Sequence, residues 1–524
     1  MVKRLALGCL CLISVAATAY AADPGALKKR AIAGVEARAK LAQQINDSVF
    51  SFSELGYQEV ETSRYLTDLL EQNGFKIERG VAGIPTAWTA RWTNGEGGPV
   101  IALGSDIDCI PKASQKPGIP WHEPLIEGAP GHGEGHNSGQ AVNVVAALAV
   151  QEIMRSSKIA GTLMLWPGVA EELLGAKAYF VRDGVFGGVD AVIFTHVDDK
   201  FGVSWGQPRG TGLVSVEYTF HGEAAHAAMA PWRGRSALDA VELMNIAWNM
   251  RREHLRPEQR SHYVITDGGD QPNVVPSVAS VWYYFREQTF DAIQKNYGIG
   301  NKIADAAAAM TDTTVTRRIR GSAAPQHFNK PIAEAADRNV QAVGIPVWNA
   351  DEQAFAKAVQ KNLGTKEEGL TTKLDELKPP PPEPLSGGSD DIGDVSWTVP
   401  TIVVRYPSNI PGLPGHHWAN AIAMATPIAH KGVVAGSKVV AMTTLDLMTS
   451  EKLRSSARDY FTNVQTKDQK YVPILGAEDR PVIEMNAETM GKYREQIKKY
   501  YYDPSRYETY LQQLGIKWPT LSKE

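Results

Sequence analysis

Two periodicities alternate along the chain. From Ala26 to about Phe75, Leu41, Ile45 and Val49, and then Tyr65, Leu66, Leu69 and Leu70, recur at helix spacing, and the intervening SELGYQEVETS predicts two helices joined by a loop. Short apolar runs then alternate with helical patterns: strand Val100 to Leu103, helix Ala141 to Met154, strand Thr162 to Trp166, helix Leu173 to Arg182, strand Ala191 to Thr195. Strands separated by helices argue for an α/β catalytic domain, a mainly parallel sheet flanked by helices, with loops at the strand ends as the natural site.

The rhythm then changes. Strand Leu213 to Phe220, helix Ser236 to Arg252, strands His262 to Thr266 and Ser280 to Arg286, helix Ala292 to Met310 and strand Thr313 to Ile319 give the order βαββαβ, the ferredoxin-like unit, which reads as an inserted second domain. Helical patterns return after Asn329, and the run Pro379 to Pro382 reads as a stiff extended linker or loop edge. Strand Thr401 to Arg405 leads into PGLPGHHW, and Thr426-Pro427 opens a long helix with a cap residue and a first-turn proline, so the first domain resumes here. The expected division is 1–21 leader, 22–211 and 327–450 catalytic domain, 212–326 inserted lid, and 451–524 a surface-docked extension. There is no internal repeat.

Composition narrows the picture at the N-terminus. Lys3 and Arg4 precede an apolar run from Leu5 to Ala17, and Ala19-Tyr20-Ala21 is a small-x-small site, together a secretory signal cut after Ala21. Cys9 and Cys11 leave with it, so Cys109 is the only remaining cysteine and an internal disulfide is excluded. The formal charge of −4, or −6 without Lys3 and Arg4, gives no electrostatic case for nucleic acid. No later apolar stretch reaches membrane-spanning length, so the expected product is exported and soluble, in a bacterial periplasm.

The densest chemistry is GAPGHGEGHNSG, residues 128 to 139, with His132, Glu134 and His136 between glycines just before an apolar helix. In an extended segment residues two apart point the same way, so Glu134 and His136 can aim at one point. Further candidates stand at strand ends: Asp106 and Asp108 in GSDIDCIP, Glu171 and Glu172 in PGVAEELLG, His196 closing AVIFTH, and His416 in the Pro/Gly loop. Singly each has a structural explanation, as helix-start charges or hydrogen-bonded histidines. Jointly, carboxylates and imidazoles at successive strand ends of one sheet converge, and such a mixed set suits zinc, manganese or cobalt in a two-metal centre. His122, His132, His254, His262, His327, His417 and His430 read as structural or exposed, while His226 in FHGEAAHAA follows small residues that permit close approach to a ligand.

These motifs resemble the metal-dependent amidohydrolase superfamily of aminoacylases and glutamate carboxypeptidases, peptidase family M20, over almost the whole chain after the leader. SELGYQEVETS, GSDIDCIP, SQKPG, GAPGHGEGHN, PGVAEELLGAK, FHGEAAHAA, PNVVPSVASVWYYFRE, GGSDDIGDVSW and PGHHW match its blocks in order. The resemblance implies a catalytic α/β domain with an inserted lid that usually dimerises, and two divalent metals per chain, Zn or Mn. It places Glu134, His136, Glu172, His196 and His416 at the metals, with Asp108 behind them. Glu171 falls on the general base and His226 on a lid histidine that reaches the partner's site in such dimers. Asn273 and Arg286 match lid positions suited to a substrate carboxylate. One departure stands out: the subgroup reads GHGCGHN, and here the cysteine position is Glu134, a harder ligand that can bridge two ions.

The implied activity is hydrolysis of the amide bond of N-acyl or N-aroyl amino acids, aminobenzoyl-glutamate-like, by metal-activated water. An exported dipeptidase or aminopeptidase is the alternative, and a non-catalytic amide- or peptide-binding member a third. Expected partners are a small-molecule amide, a second copy of the chain through the lid, and a homologous second subunit.

Overall fold

The computed structural model describes residues 23–208, 210–381 and 387–523. The leader expected over 1–21 and the end of the proline run at Pro382 lie outside the described residues. Among the described residues the strands are β1 (Lys76–Arg79), β2 (Trp88–Asn94), β3 (Val100–Asp106), β4 (Gly161–Gly168), β5 (Ala191–Asp198), β6 (Gly202–Val203), β7 (Gly212–His221), β8 (Arg260–Asp267), β9 (Val278–Glu287), β10 (Thr314–Ala323) and β11 (Thr401–Pro407).

They form two sheets, ordered β1-β2-β4-β3-β5-β11-β6 and β10-β7-β9-β8. In the first sheet β4, β3, β5 and β11 are parallel, and β1, β2 and β6 attach antiparallel at its edges. From β3 the chain crosses through helix Gly139–Ser157 to β4 on one side, and β5 then joins β3 on the other. The direction of winding therefore reverses at β3, and a crevice opens at the carboxyl ends of the strands beside it. Helix Gly139–Ser157 is apolar nearly all round and buries Val142, Val145, Ala146 and Val150, as a helix enclosed on all sides must. It packs on the long helix Pro427–Thr449.

The second sheet is antiparallel. Val214, Val216, Tyr218 and Phe220, two apart on β7, join Val281, Tyr283 and Phe285 of β9 in a core with Val241, Met244 and Trp248 of helix Ala237–Arg251. Period-two burial of this kind gives the sheet one face for its helices.

The sequence pattern differs from the structure in a few elements. The segment before SELGYQEVETS holds two helices, Pro24–Glu36 and Ala39–Phe52, because the chain turns at Ala37 and Arg38 while keeping the same apolar period on both sides. The helix expected from Leu173 starts at Lys177, after a 3₁₀ turn Glu171–Leu173. β1 was not expected because KIER is almost wholly exposed and leaves no apolar run. The extension from Glu451 is more than docked: Val482, Met490, Tyr502 and Tyr510 are buried, and Tyr510 meets Phe50 edge to face at 5.9 Å.

Candidate metal centre and substrate cavity

The loop that follows β3, the turn after β4, the end of β5 and the loop after β11 meet at the crevice. Glu134 and His136 arrive through Gly135, whose φ of 107° lies in the left-handed region, rather than through an extended segment. A Cβ at Gly135 would stand 2.9 Å from Met424 Cε and 3.2 Å from Val197 Cγ1, so glycine is required both for the turn and for the space. Glu171 and Glu172 lie between two non-glycine residues in the same left-handed region, Ala170 and Leu174, both at φ 52°. Such backbone costs about 1 kcal/mol or more per residue and persists where the surroundings hold it. Here the buried carboxylate of Glu59 accepts the Ala170 N–H at 2.8 Å. His416 is also left-handed, at φ 48°.

The five expected ligands come together. Glu134 Oε1 lies 3.5 Å from His196 Nε2, and Glu134 Oε2 lies 2.9 Å from His416 Nε2. His416 Nε2 is 3.5 Å from Glu172 Oε2, and His136 Nδ1 is 4.0 Å from Glu172 Oε1. Asp108 works from behind: Oδ1 is 3.5 Å from His136 Nδ1, while Oδ2 accepts the Glu172 N–H at 3.1 Å. Glu134, His136, Glu171 and Glu172 each offer an atom within 4.8 Å of the others, as do Asp106, His136 and His196. His196 Nδ1 is 2.7 Å from the Val197 carbonyl, a contact that needs its proton and leaves Nε2 free to ligate.

These groups fit divalent cations. Asp108 Oδ1, Glu134 Oε2, Glu172 Oε1 and both ring nitrogens of His136 are buried without a hydrogen-bond partner; the 2.9 Å approach of His416 to Glu134 is close but misaligned. Buried polar atoms left unpaired cost energy, and so many aimed at one another define a place for positive charge. The charge balance agrees. Burial and then the Glu134 carboxylate push the Glu172 carboxyl well above its usual range. Burial opposes the charged form of His136, but Asp108 and the carboxylates of Glu134, Asp106 and Glu172 outweigh it and hold its proton well above the ordinary imidazole range. Burial also opposes ionised Glu134, yet its hydrogen bonds to His196 and His416 keep it well below. Protons are thus drawn in where a divalent ion would serve.

A cavity of about 450 Å³ opens beside the set, lined by Glu171, Glu172, Tyr284, Arg286, Ser389 and Arg405 among others. Arg286 donates from Nη1 to Ser389 Oγ at 2.9 Å, rests over the Tyr284 ring at 5.2 Å and keeps Nε unpartnered. His226 and Asn273 are elsewhere. They sit together on the lid, where the Ala227 N–H donates to the Asn273 carbonyl at 3.0 Å; both are exposed and neither lines the cavity of this chain. His132 is buried against Phe50, with Nε2 3.0 Å from the Val49 carbonyl, and burial pushes it down to about 3.

Behind Glu171 lies a group that residue-by-residue inspection of the sequence does not reveal. Lys177 is fully buried, with Nζ 2.6 Å from Asp106 Oδ1, in contact with Asp391 and 3.7 Å from Asp390. Glu171, Asp390 and Asp391 offer atoms within 4.8 Å of one another. Desolvation first, then Asp106 and Asp390, push the Glu171 carboxyl well above its usual range, with Lys177 pulling the other way. The available signal is a lysine at a helix start followed by Ala178, Tyr179 and Phe180, a position that faces the core. Arg405 is a second unexpected member; it pairs in register with His196 on the neighbouring parallel strand and so faces the same crevice.

Residues 211–309 match the peptidase dimerisation domain of M20 enzymes. Over 464 residues the chain is 32% identical to a p-aminobenzoyl-glutamate hydrolase polypeptide of Escherichia coli (strain K12), a match covering 84% of this chain and 96% of that protein. The Xaa-Arg dipeptidase of Mus musculus is 28% identical over 455 residues, covering 85% and 94%. The crystal structure of aminobenzoyl-glutamate utilization protein from Klebsiella pneumoniae superposes with a TM-score of 0.54 at 17% identity, covering 79% of this chain and 96% of that one.

Proposed function

Because this chain belongs to the M20 peptidase family as a metal-dependent amidohydrolase, we propose that it hydrolyses the amide bond of N-acyl or N-aroyl amino acids of the aminobenzoyl-glutamate kind. The observation that carries this reading is the set of buried, unpartnered ligand atoms of Asp108, Glu134, His136 and Glu172 at the mouth of a cavity that also holds Arg286.

In this reading Glu134, His136, Glu172, His196 and His416 hold two divalent ions per chain, zinc or manganese, and Asp108 orients His136. The metals, when bound, acidify a water molecule and polarise the substrate carbonyl. Glu171 accepts the proton of the attacking water and returns it to the leaving amine. Arg286 receives a substrate carboxylate. His226 and Asn273 act from the lid of a second copy of the chain, where His226 donates to the tetrahedral oxyanion. The lid, 212–326, makes the homodimer, and a homologous second subunit is a further partner. The leader exports the chain to a periplasm.

The resemblance to a dipeptidase over 85% of the chain favours a second reading, cleavage of dipeptides with a free amine. Elemental analysis of purified protein, paired with product release from aminobenzoyl-glutamate, acyl amino acids and dipeptides, tests both. About two metals per chain with release from acylated substrates is expected; release from free-amine substrates alone selects the dipeptidase, and absence of bound metal rejects both.

A further inference from the structure

The segment from Val482 to Ile497 of the C-terminal extension touches no substrate-lining residue, yet it grips one loop at several points. That loop, Ser53 to Glu59, joins helices Ala39–Phe52 and Val60–Gln72. Arg494 pairs with the buried carboxylate of Glu54 and donates from Nη2 to the Gln58 carbonyl at 2.9 Å. Asn486 Nδ2 donates to the Gly56 carbonyl at 3.1 Å. Gln58 answers, with Nε2 3.0 Å from the carbonyls of both Ile483 and Met485.

The other side of the same loop holds the glutamate turn. Glu59 accepts the Ala170 N–H, and Tyr57 donates its hydroxyl to the Gly175 carbonyl at 2.8 Å, so the turn is tied at both ends. The Glu54 carbonyl accepts the Cys109 N–H at 2.8 Å, next to Asp108. Gly56 leaves no slack: a Cβ there would stand 2.8 Å from Ala170 Cα and 3.1 Å from Asp108 Oδ2. Ala170 and Leu174 are held in a left-handed conformation they would not adopt unaided.

We propose that the segment Val482 to Ile497 is a positioning element for the active site, acting through Arg494 and Asn486 on the loop Ser53 to Glu59, and through that loop on the placement of Glu171 and Glu172. This rests on the hydrolytic reading above for its effect on turnover, though not for its effect on the turn itself. Displacement of a catalytic carboxylate by a fraction of an ångström changes kcat rather than substrate affinity, because Arg286 and the cavity wall are untouched.

Two variants of the full chain test it. Arg494→Lys keeps a cation near Glu54 but cannot span Glu54 and the Gln58 carbonyl together. Asn486→Gly removes the bond to Gly56 while suiting the left-handed backbone of residue 486, at φ 64°, so the fold survives. Each is assayed well below its unfolding transition. Expected are a kcat lower by about 10- to 100-fold with KM within about two-fold, and amide hydrogen exchange over residues 168–176 faster by about ten-fold or more while β4 keeps its protection. Unchanged exchange over 168–176 in both variants overturns the proposal, whatever happens to stability. If the parent cleaves no amide, the hydrolytic reading fails alone, and the exchange of that turn still decides this one.

Discussion

Lys177 Nζ lies 2.6 Å from Asp106 Oδ1 in a position without solvent access, so the ammonium is the local counter-charge for carboxylates on two elements. Burial opposes the charged form of Lys177, and Asp106, Asp391 and Asp390 overcome it and hold its proton well above the usual lysine range. Removing one member of a buried ionic group strands the rest. Lys177→Met is expected to lower unfolding free energy by about 3–5 kcal/mol, read from urea denaturation at neutral pH.

Glu171→Gln keeps the shape of the turn and removes the proton acceptor. Metal stoichiometry is expected to stay at the parent value while kcat falls by about 10²- to 10⁴-fold. Turnover near the parent level would assign the base to another group.

Asp108 touches His136 and the Glu172 backbone at once. Asp108→Ala is expected to weaken divalent-metal affinity by about 10- to 100-fold, measured by competition with a chelator of known affinity. An unchanged constant would reduce its role to packing.

Much of this arrangement is legible in the amino-acid sequence. Glu134, His136, Glu172, His196 and His416 stand at or beyond strand ends of one α/β pattern, and the parallel order of β4, β3, β5 and β11 brings those ends to one crevice. What the pattern hides has physical causes. Convergence of Glu134 with His136 depends on a left-handed glycine rather than strand alternation, and handedness of a single backbone position leaves no periodic trace. Lys177 is hidden because a lone charge at a helix start reads as solvated unless its carboxylate partners, far off at Asp390 and Asp391, are known. The split of the first helical stretch at Ala37 leaves the apolar period undisturbed.

The carboxylate at position 134 changes which ion the centre prefers. Glu134→Cys supplies a thiolate, and selectivity is expected to move from manganese toward zinc. Titration of both ions into parent and variant measures the ratio; equal ratios would show that residue 134 does not set metal choice.

His327 gives a pH prediction away from the centre. Burial pushes its imidazole down to about 4, and its Nε2 lies 3.3 Å from the Tyr460 hydroxyl. The fold thus favours the neutral ring, whose contribution is complete above the unfolded value near 6.5 and is lost as pH falls from there through about 4. The loss has a limiting slope of about 1.4 kcal/mol per pH unit. Urea midpoints at pH 7 and pH 4.5 are expected to separate less in His327→Gln than in the parent; equal separation would place the acid sensitivity in other groups.

The lid sheet, β7 to β10, is spelled out between β5 and β11, so the imidazole of His416 leaves the ribosome long after those of His136 and His196. A nascent chain holding only the earlier ligands has an incomplete donor set, and β5 lacks its parallel neighbour until β11 has arrived. Long-range closure of this kind is slow. Metal loading therefore reports completion of the whole polypeptide: truncated products end before they can carry a finished centre, and every metallated molecule has already built its lid.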